Sequence, residues 1–141
     1  MEYKRSMRLR LGRFSEIGRI YLLTSVTVDR TPLFSDWRAA RLVSNEFRRE
    51  QEAGTSFSIA WVIMPDHFHW LVELKKGRLS SLVQRVKSRS SITVNRHVDR
   101  AGQLWQRGYH DRALRREEDL KETARYVLAN PIQSVRALWN V

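Results

Sequence analysis

The chain has 141 residues, with 26 Lys or Arg against 15 Asp or Glu and no cysteine. One domain suits that length, and the lack of cysteine excludes a disulfide framework, a thiolate metal site and a thiol nucleophile. The formal charge of +11 rests on 21 arginines and only 5 lysines, which favours a nucleic-acid partner, because the guanidinium fork matches phosphate and stacks on bases.

The basic segment 1–18 shows little periodicity and reads as an arm. Residues 19–28 (RIYLLTSVTV) are rich in β-branched and aromatic types and predict a strand. The segment DRTPLFSD breaks it, and Asp36 is a fitting cap for a helix running from Trp37 to about Gly54. Trp37, Ala40, Val43 and Phe47 fall at helical spacing for its buried face. Ser56 to Met64 and His67 to Leu74 read as two strands joined by the Pro65-Asp66 turn, an antiparallel hairpin. A helix from about Leu79 to Val98 turns Leu82, Val83, Val86 and Val94 inward and carries Arg85, Lys87, Arg89 and Arg96. Residues 102–114 hold a candidate fourth strand. A last helix opens on Glu117, Glu118 and Asp119, acids suited to the positive end of a helix dipole, and halts before Pro131. The order β-α-β-β-α-β-α predicts an α+β fold: a ferredoxin-like split βαβ antiparallel sheet with helices packed on one face, plus a C-terminal helix. No apolar run is long enough to span a bilayer. The N-terminus has no apolar signal region, so a cytoplasmic location is expected.

Two of the four histidines stand in PDHFHW (65–70). On a strand, residues i and i+2 share a face, so His67 and His69 stand side by side while Phe68 points away. Two imidazoles on one strand form half of a divalent metal site, and the plainer reading is two polar positions on a half-exposed strand. With no cysteine, magnesium or manganese completed by water and a substrate phosphate fits better than zinc. Asp66 reads first as a turn residue and second as a carboxylate orienting a histidine.

Tyr126 and Asn130 lie one helical turn apart on the last helix. Leu120, Ala124, Val127 and Leu128 form its apolar stripe, and Tyr126 falls roughly 145° from the centre of that stripe. Tyr126 is therefore either a rim tyrosine or a nucleophile whose attack on a phosphodiester leaves a phosphotyrosine and a free hydroxyl. The Asn130 amide oxygen is a candidate third metal ligand. Tyr109 is the competing nucleophile, without a ligand-type residue one turn away. His110 and Asp111 read as a structural pair, and His97 as solvent-facing. Trp37 and Trp61 read as core, whereas Trp105, near Arg107 and between two glycines, is the better base-stacking candidate. Arg85, Lys87 and Arg89 could run along phosphates.

These residues together resemble the single-tyrosine HUH transposases of bacterial insertion sequences, and more closely the REP-associated tyrosine transposases. The matching segments are GRFSEIGRIYLLTSVT (12–27), AWVIMPDHFHWLVEL (60–74), LVQRVKSRSS (82–91), LWQRGYHDRALRREEDL (104–120) and RYVLANP (125–131). They cover nearly the whole chain. The resemblance implies one catalytic domain, with arm 1–18, core 19–131 and tail 132–141. It implies a Mg²⁺ or Mn²⁺ site on His67, His69 and Asn130, and Tyr126 as the nucleophile forming a 5′-phosphotyrosine. The implied substrate is single-stranded DNA folded into hairpins, with Arg10, Arg13 and Phe14 of the arm helping to read it. A monomer is expected, although insertion-sequence relatives work as dimers. After Pro131 the chain reads IQSVRALWNV, where relatives usually continue with a stretch like R-A-G-L-V. The alternatives are a non-catalytic single-strand-binding module, a decayed transposase that binds without cleaving, and a phosphodiesterase that uses water.

Overall fold

The computed structural model describes residues 15–115 and 117–129. The expected positions Arg10, Arg13, Phe14 and Asn130, and the tail 132–141, lie outside them. Four strands form one antiparallel sheet: β1 (Ile20–Val26), β2 (Ser56–Met64), β3 (His67–Leu74) and β4 (His110–Leu114). Their spatial order is β2-β3-β1-β4. This is the split βαβ arrangement, with β3 inserted between β1 and β2. Helices α1 (Trp37–Glu52) and α2 (Leu79–Val98) connect the strands, and α3 (Glu117–Ala129) follows β4. No helix among the described residues is long and apolar enough to cross a membrane.

The period of two in β1 sorts its side chains. Tyr21, Leu23 and Ser25 are buried on one face, while Ile20, Leu22, Thr24 and Val26 are half-buried on the other. The first face receives α1 and α2. There Phe47 of α1 stacks on Trp70, with centroids 4.1 Å apart and planes at 15°. Its edges meet Phe68 and Trp61 at 5.1 and 5.8 Å, the offset and T-shaped contacts that the aromatic quadrupole favours. Helix α3 crosses the opposite face, where Val127 packs with Ala60, Val62, Leu71 and Leu114. Beyond a register shift between Ser58 and Ala60, β2 is covered on both sides, so Ala60 to Ile63 are all buried.

Asp36 caps α1 by accepting from the Arg38 N–H at 2.9 Å. Helix α2 draws its cap from far away in sequence: the Leu79 N–H donates to Ser15 Oγ at 2.8 Å. Two expectations need correcting. Trp37 is 46% exposed, with the Arg38 guanidinium 5.0 Å from its ring centroid; it opens the helix before the buried face begins. His97 faces solvent as expected, and it pairs with Asp36, Nε2 to Oδ2 at 2.9 Å, which joins the end of α2 to the start of α1. On α3, Thr123 is buried at 4% and Leu128 is 48% exposed, so the stripe is turned toward residue 123. The fourth strand is also shorter than the candidate range, starting only at His110.

Candidate active site

The histidine pair sits at the start of β3, on the face that α3 covers. Val62 and Thr24 flank His69 in the neighbouring strands, and Met64 and Val26 flank His67. Phe68 between them is 1% exposed and points into the aromatic layer. The two imidazole centroids lie 5.0 Å apart with planes at 76°.

Each ring is held through Nδ1. Asp66 Oδ1 lies 2.7 Å from His67 Nδ1, and Thr24 Oγ1 lies 2.8 Å from His69 Nδ1. A carboxylate only accepts, so His67 Nδ1 is the donor in this pair and Nε2 is left facing away from Asp66. Asp66 is itself steadied, because Arg30 Nη1 donates to its Oδ2 at 3.1 Å. Its backbone is pinned as well: the Thr27 N–H donates to the Asp66 carbonyl at 2.8 Å and the Phe34 N–H to the Pro65 carbonyl at 2.9 Å. Asp29 and Arg30 adopt φ values of 56° and 51° in that clamp, a left-handed backbone that is strained for such residues. Asp66 is therefore both the turn residue and the orienting carboxylate, the two roles that its sequence context offered with the turn first.

Burial, reinforced by the charge of neighbouring His67, pushes His69 down to about 4 from 6.5. His69 is thus neutral at pH 7 and keeps a lone pair for a metal. Two imidazoles secured through Nδ1 suit a divalent cation whose other positions are filled by oxygen. Among the described residues no third His, Cys, Asp or Glu joins them. The donor set therefore leaves the remaining positions of such a cation to oxygen donors such as water or a phosphate oxygen.

Tyr126 is 56% exposed on α3, and its ring centroid lies 5.9 Å from that of His69. It stands off the core stripe, as the helical spacing predicts, and the fold sets it on the rim beside the histidines. On its other side lies an open groove of about 280 Å³, lined by Leu22, Arg112, Glu122, Thr123 and Tyr126. The Arg112 Nη2 donates to Thr123 Oγ1 at 3.0 Å.

The expected DNA contacts divide. Arg85, Lys87 and Arg89 ride on α2, across the sheet from the histidines. Arg85 donates to the buried Glu50 from Nε at 3.0 Å and from Nη2 at 2.8 Å, and Arg89 Nη1 reaches it at 3.4 Å. Burial opposes the Glu50 charge, but the hydrogen bonds of Arg85 and Thr55 and the charges of Arg85 and Arg89 outweigh it and hold the carboxyl below its ordinary value. Lys87 donates to the Gln106 and Gly108 carbonyls. These three cations tie the fold together. Trp105 is 4% exposed and its Nε1 donates to Ser90 Oγ at 3.0 Å, so it is a core residue with no face for a base. Arg107 is exposed in the loop before β4. Tyr109 is buried at 7% in the α1–α2 core, apart from the histidine face.

Residues 19–130 match the family model described as "Transposase IS200 like". The chain belongs to that family. DNA is thereby its class of substrate. A protein of Haemophilus influenzae bearing the name REP-associated tyrosine transposase is 27% identical over 132 residues, covering 82% of this chain and 72% of that one. The fold agrees with a solved REP-associated tyrosine transposase bound to a REP hairpin, at TM-score 0.69 and 19% identity over 84% of this chain and 70% of that one. A crystal structure named as a transposase from Deinococcus radiodurans aligns at TM-score 0.59 and 20% identity, over 84% and 95% of the two chains. Thr24, Arg30, Arg112 and Thr123 were not singled out by the sequence. Only the strand register puts Thr24 opposite His69 and Arg112 beside Leu22.

Proposed function

We propose that this transposase cleaves and rejoins single-stranded hairpin DNA through a 5′-phosphotyrosine on Tyr126, assisted by Mg²⁺ or Mn²⁺. The observation that carries the reading is the exposed Tyr126 ring 5.9 Å from His69, on the same side of the sheet as a histidine pair secured through Nδ1. His67 and His69 would hold the cation, with Asn130 the proposed third ligand. Bound there, it would draw charge from the scissile phosphate and favour in-line displacement.

The chain's own groups do the rest. Asp66 and Thr24 keep both imidazoles turned to one side, and burial keeps His69 unprotonated. The Tyr126 oxygen attacks phosphorus while the phosphorus–O3′ bond breaks. The phenol proton passes to solvent, and the departing O3′ takes one back. Rejoining reverses this with another 3′-hydroxyl, so no nucleotide cofactor is consumed. A monomer is the proposed working unit. The exposed Arg107 and the arm residues Arg10, Arg13 and Phe14 are proposed to hold the DNA.

A denaturing gel tests this. Wild type and Tyr126→Phe are incubated with labelled hairpin DNA from the flanks of the source gene, with Mg²⁺, Mn²⁺ or EDTA. The expected result is a metal-dependent nick and a covalent protein–DNA band, both lost in the variant. A nick that persists in Tyr126→Phe sinks the tyrosine assignment and leaves a water-using phosphodiesterase. Binding without a nick under either metal leaves a binding module or a decayed transposase.

A further inference from the structure

Tyr126 has two flanks, and the histidines occupy only one. The other is the groove of about 280 Å³. Among the described residues that line it, Arg112 is the one cation. The residue stands on β4 opposite Leu22 of β1, and Leu22 in turn stands opposite Leu71, two residues along β3 from His69. Side chains two apart share a face, so Arg112 rises from the same side of the sheet as His67 and His69.

Its position is tied to the helix that carries the tyrosine. Arg112 Nη2 donates to Thr123 Oγ1 at 3.0 Å, and Thr123 is 4% exposed. Residues i and i+3 are neighbours on a helix, so the anchor lies one turn before Tyr126. A guanidinium carries five N–H donors in a planar fork, and Thr123 takes one. The remaining fork matches two oxygens of a phosphate. Glu122 lines the same groove and acts in the opposite sense, repelling an anion.

We propose that Arg112 seats the DNA phosphate that Tyr126 attacks, from the flank opposite the histidine pair. The inference deepens the transesterase reading and rests on it for the identity of the attacked phosphate. Arg112 neutralises charge on that phosphate without a metal, and its tether to α3 sets the spacing between phosphate and phenol.

The test is a binding cycle on the full chain in EDTA. Tyr126→Phe serves as the background, so that no DNA is cut. Single neutral methylphosphonates are stepped along the strand flanking the hairpin, and dissociation constants are read with and without Arg112→Gln. Glutamine is shorter than arginine, so melting curves check that the fold survives loss of the Thr123 contact. At one position the neutral linkage should weaken the background protein about 10- to 100-fold, the range of a hydrogen bond to a charged group. Arg112→Gln should weaken it as much on natural DNA and add little on the neutral strand. Glu122→Gln should tighten binding a few-fold, and that gain should vanish at the same position. Wild-type nicking in Mn²⁺, run in parallel, should map to that linkage.

Coupling at no position overturns the proposal and leaves Arg112 as a tether alone. Coupling at a linkage other than the nicked one overturns its identification as the attacked phosphate. Coupling without any wild-type nick or adduct leaves the phosphate seat standing and removes the transesterase reading instead.

Discussion

The two faces of the sheet are built to different standards. Beneath α1 and α2 lies a continuous aromatic core in which Phe47, Phe68 and Trp70 are 0 to 1% exposed. Beneath α3 the packed cluster is small, and half-buried histidines and an exposed tyrosine sit at its edge. Stability and chemistry are thus divided by one layer of β-sheet. On the proposed mechanism, a group that must meet DNA and a metal cannot be sealed, so the face that carries it gives up burial. The opposite face compensates with rings at close-packed distances and a buried carboxylate held by two arginines.

Substitutions should expose this division. Phe47→Ala removes the ring stacked on Trp70 and should cost about 3–5 kcal/mol of stability in denaturant unfolding. Tyr126→Phe should shift stability by no more than about 0.5 kcal/mol while abolishing the covalent band. If the tyrosine change destabilised as much as the phenylalanine change, the division would be wrong.

Next come the groups that hold the histidines. Asp66→Asn and Thr24→Val should each weaken Mn²⁺ binding by about 10- to 100-fold, read by titration of the protein without DNA. Arg30→Gln, one contact further out, should do less. Unchanged Mn²⁺ affinity in all three would show that the ring orientation needs no support.

The last prediction concerns pH. His69 takes up its proton near pH 4 in the folded chain but near 6.5 when free. Between those values the unfolded chain binds the proton and the folded chain does not, so stability declines as pH falls through that window and recovers as pH rises. His69→Asn should flatten this part of the profile in thermal melts. Below it, protonation of Glu50, held under its ordinary value by Arg85 and Arg89, should remove further stability. A slope unchanged in His69→Asn would refute the assignment to His69.

Much of the site was legible in the chain because the strand period of two puts His67 and His69 on one side whatever surrounds them. The helical period likewise displaced Tyr126 from the core stripe, although it could not say that the histidines lay on that side. Strand and helix order followed from periodicity and from Pro and Gly punctuation. The exchange of roles between arginines did not follow. Arg85 and Arg89 have the same composition-level signature as Arg112, and only packing shows two of them committed to Glu50 and one facing the groove. Trp105 misled for a similar reason: its glycine-flanked setting resembles an exposed loop, but the isolated pairing of Thr27 with Trp105 turns that loop under the sheet.

By itself, then, the sequence determined the partner class through its arginine charge, the element order through its periods, and the histidine pair through its spacing. Tertiary structure alone decided which arginines bind Glu50 and which lines the groove, which Nδ1 partners hold the rings, and that Tyr126 comes within 5.9 Å of His69. The physical reason is range. Local periods act over a few residues, whereas Thr24 meets His69 across 45 positions and Arg30 meets Asp66 across 36. Such contacts exist only once the register of β1 against β3 has been set, and that register is chosen by which faces can be buried.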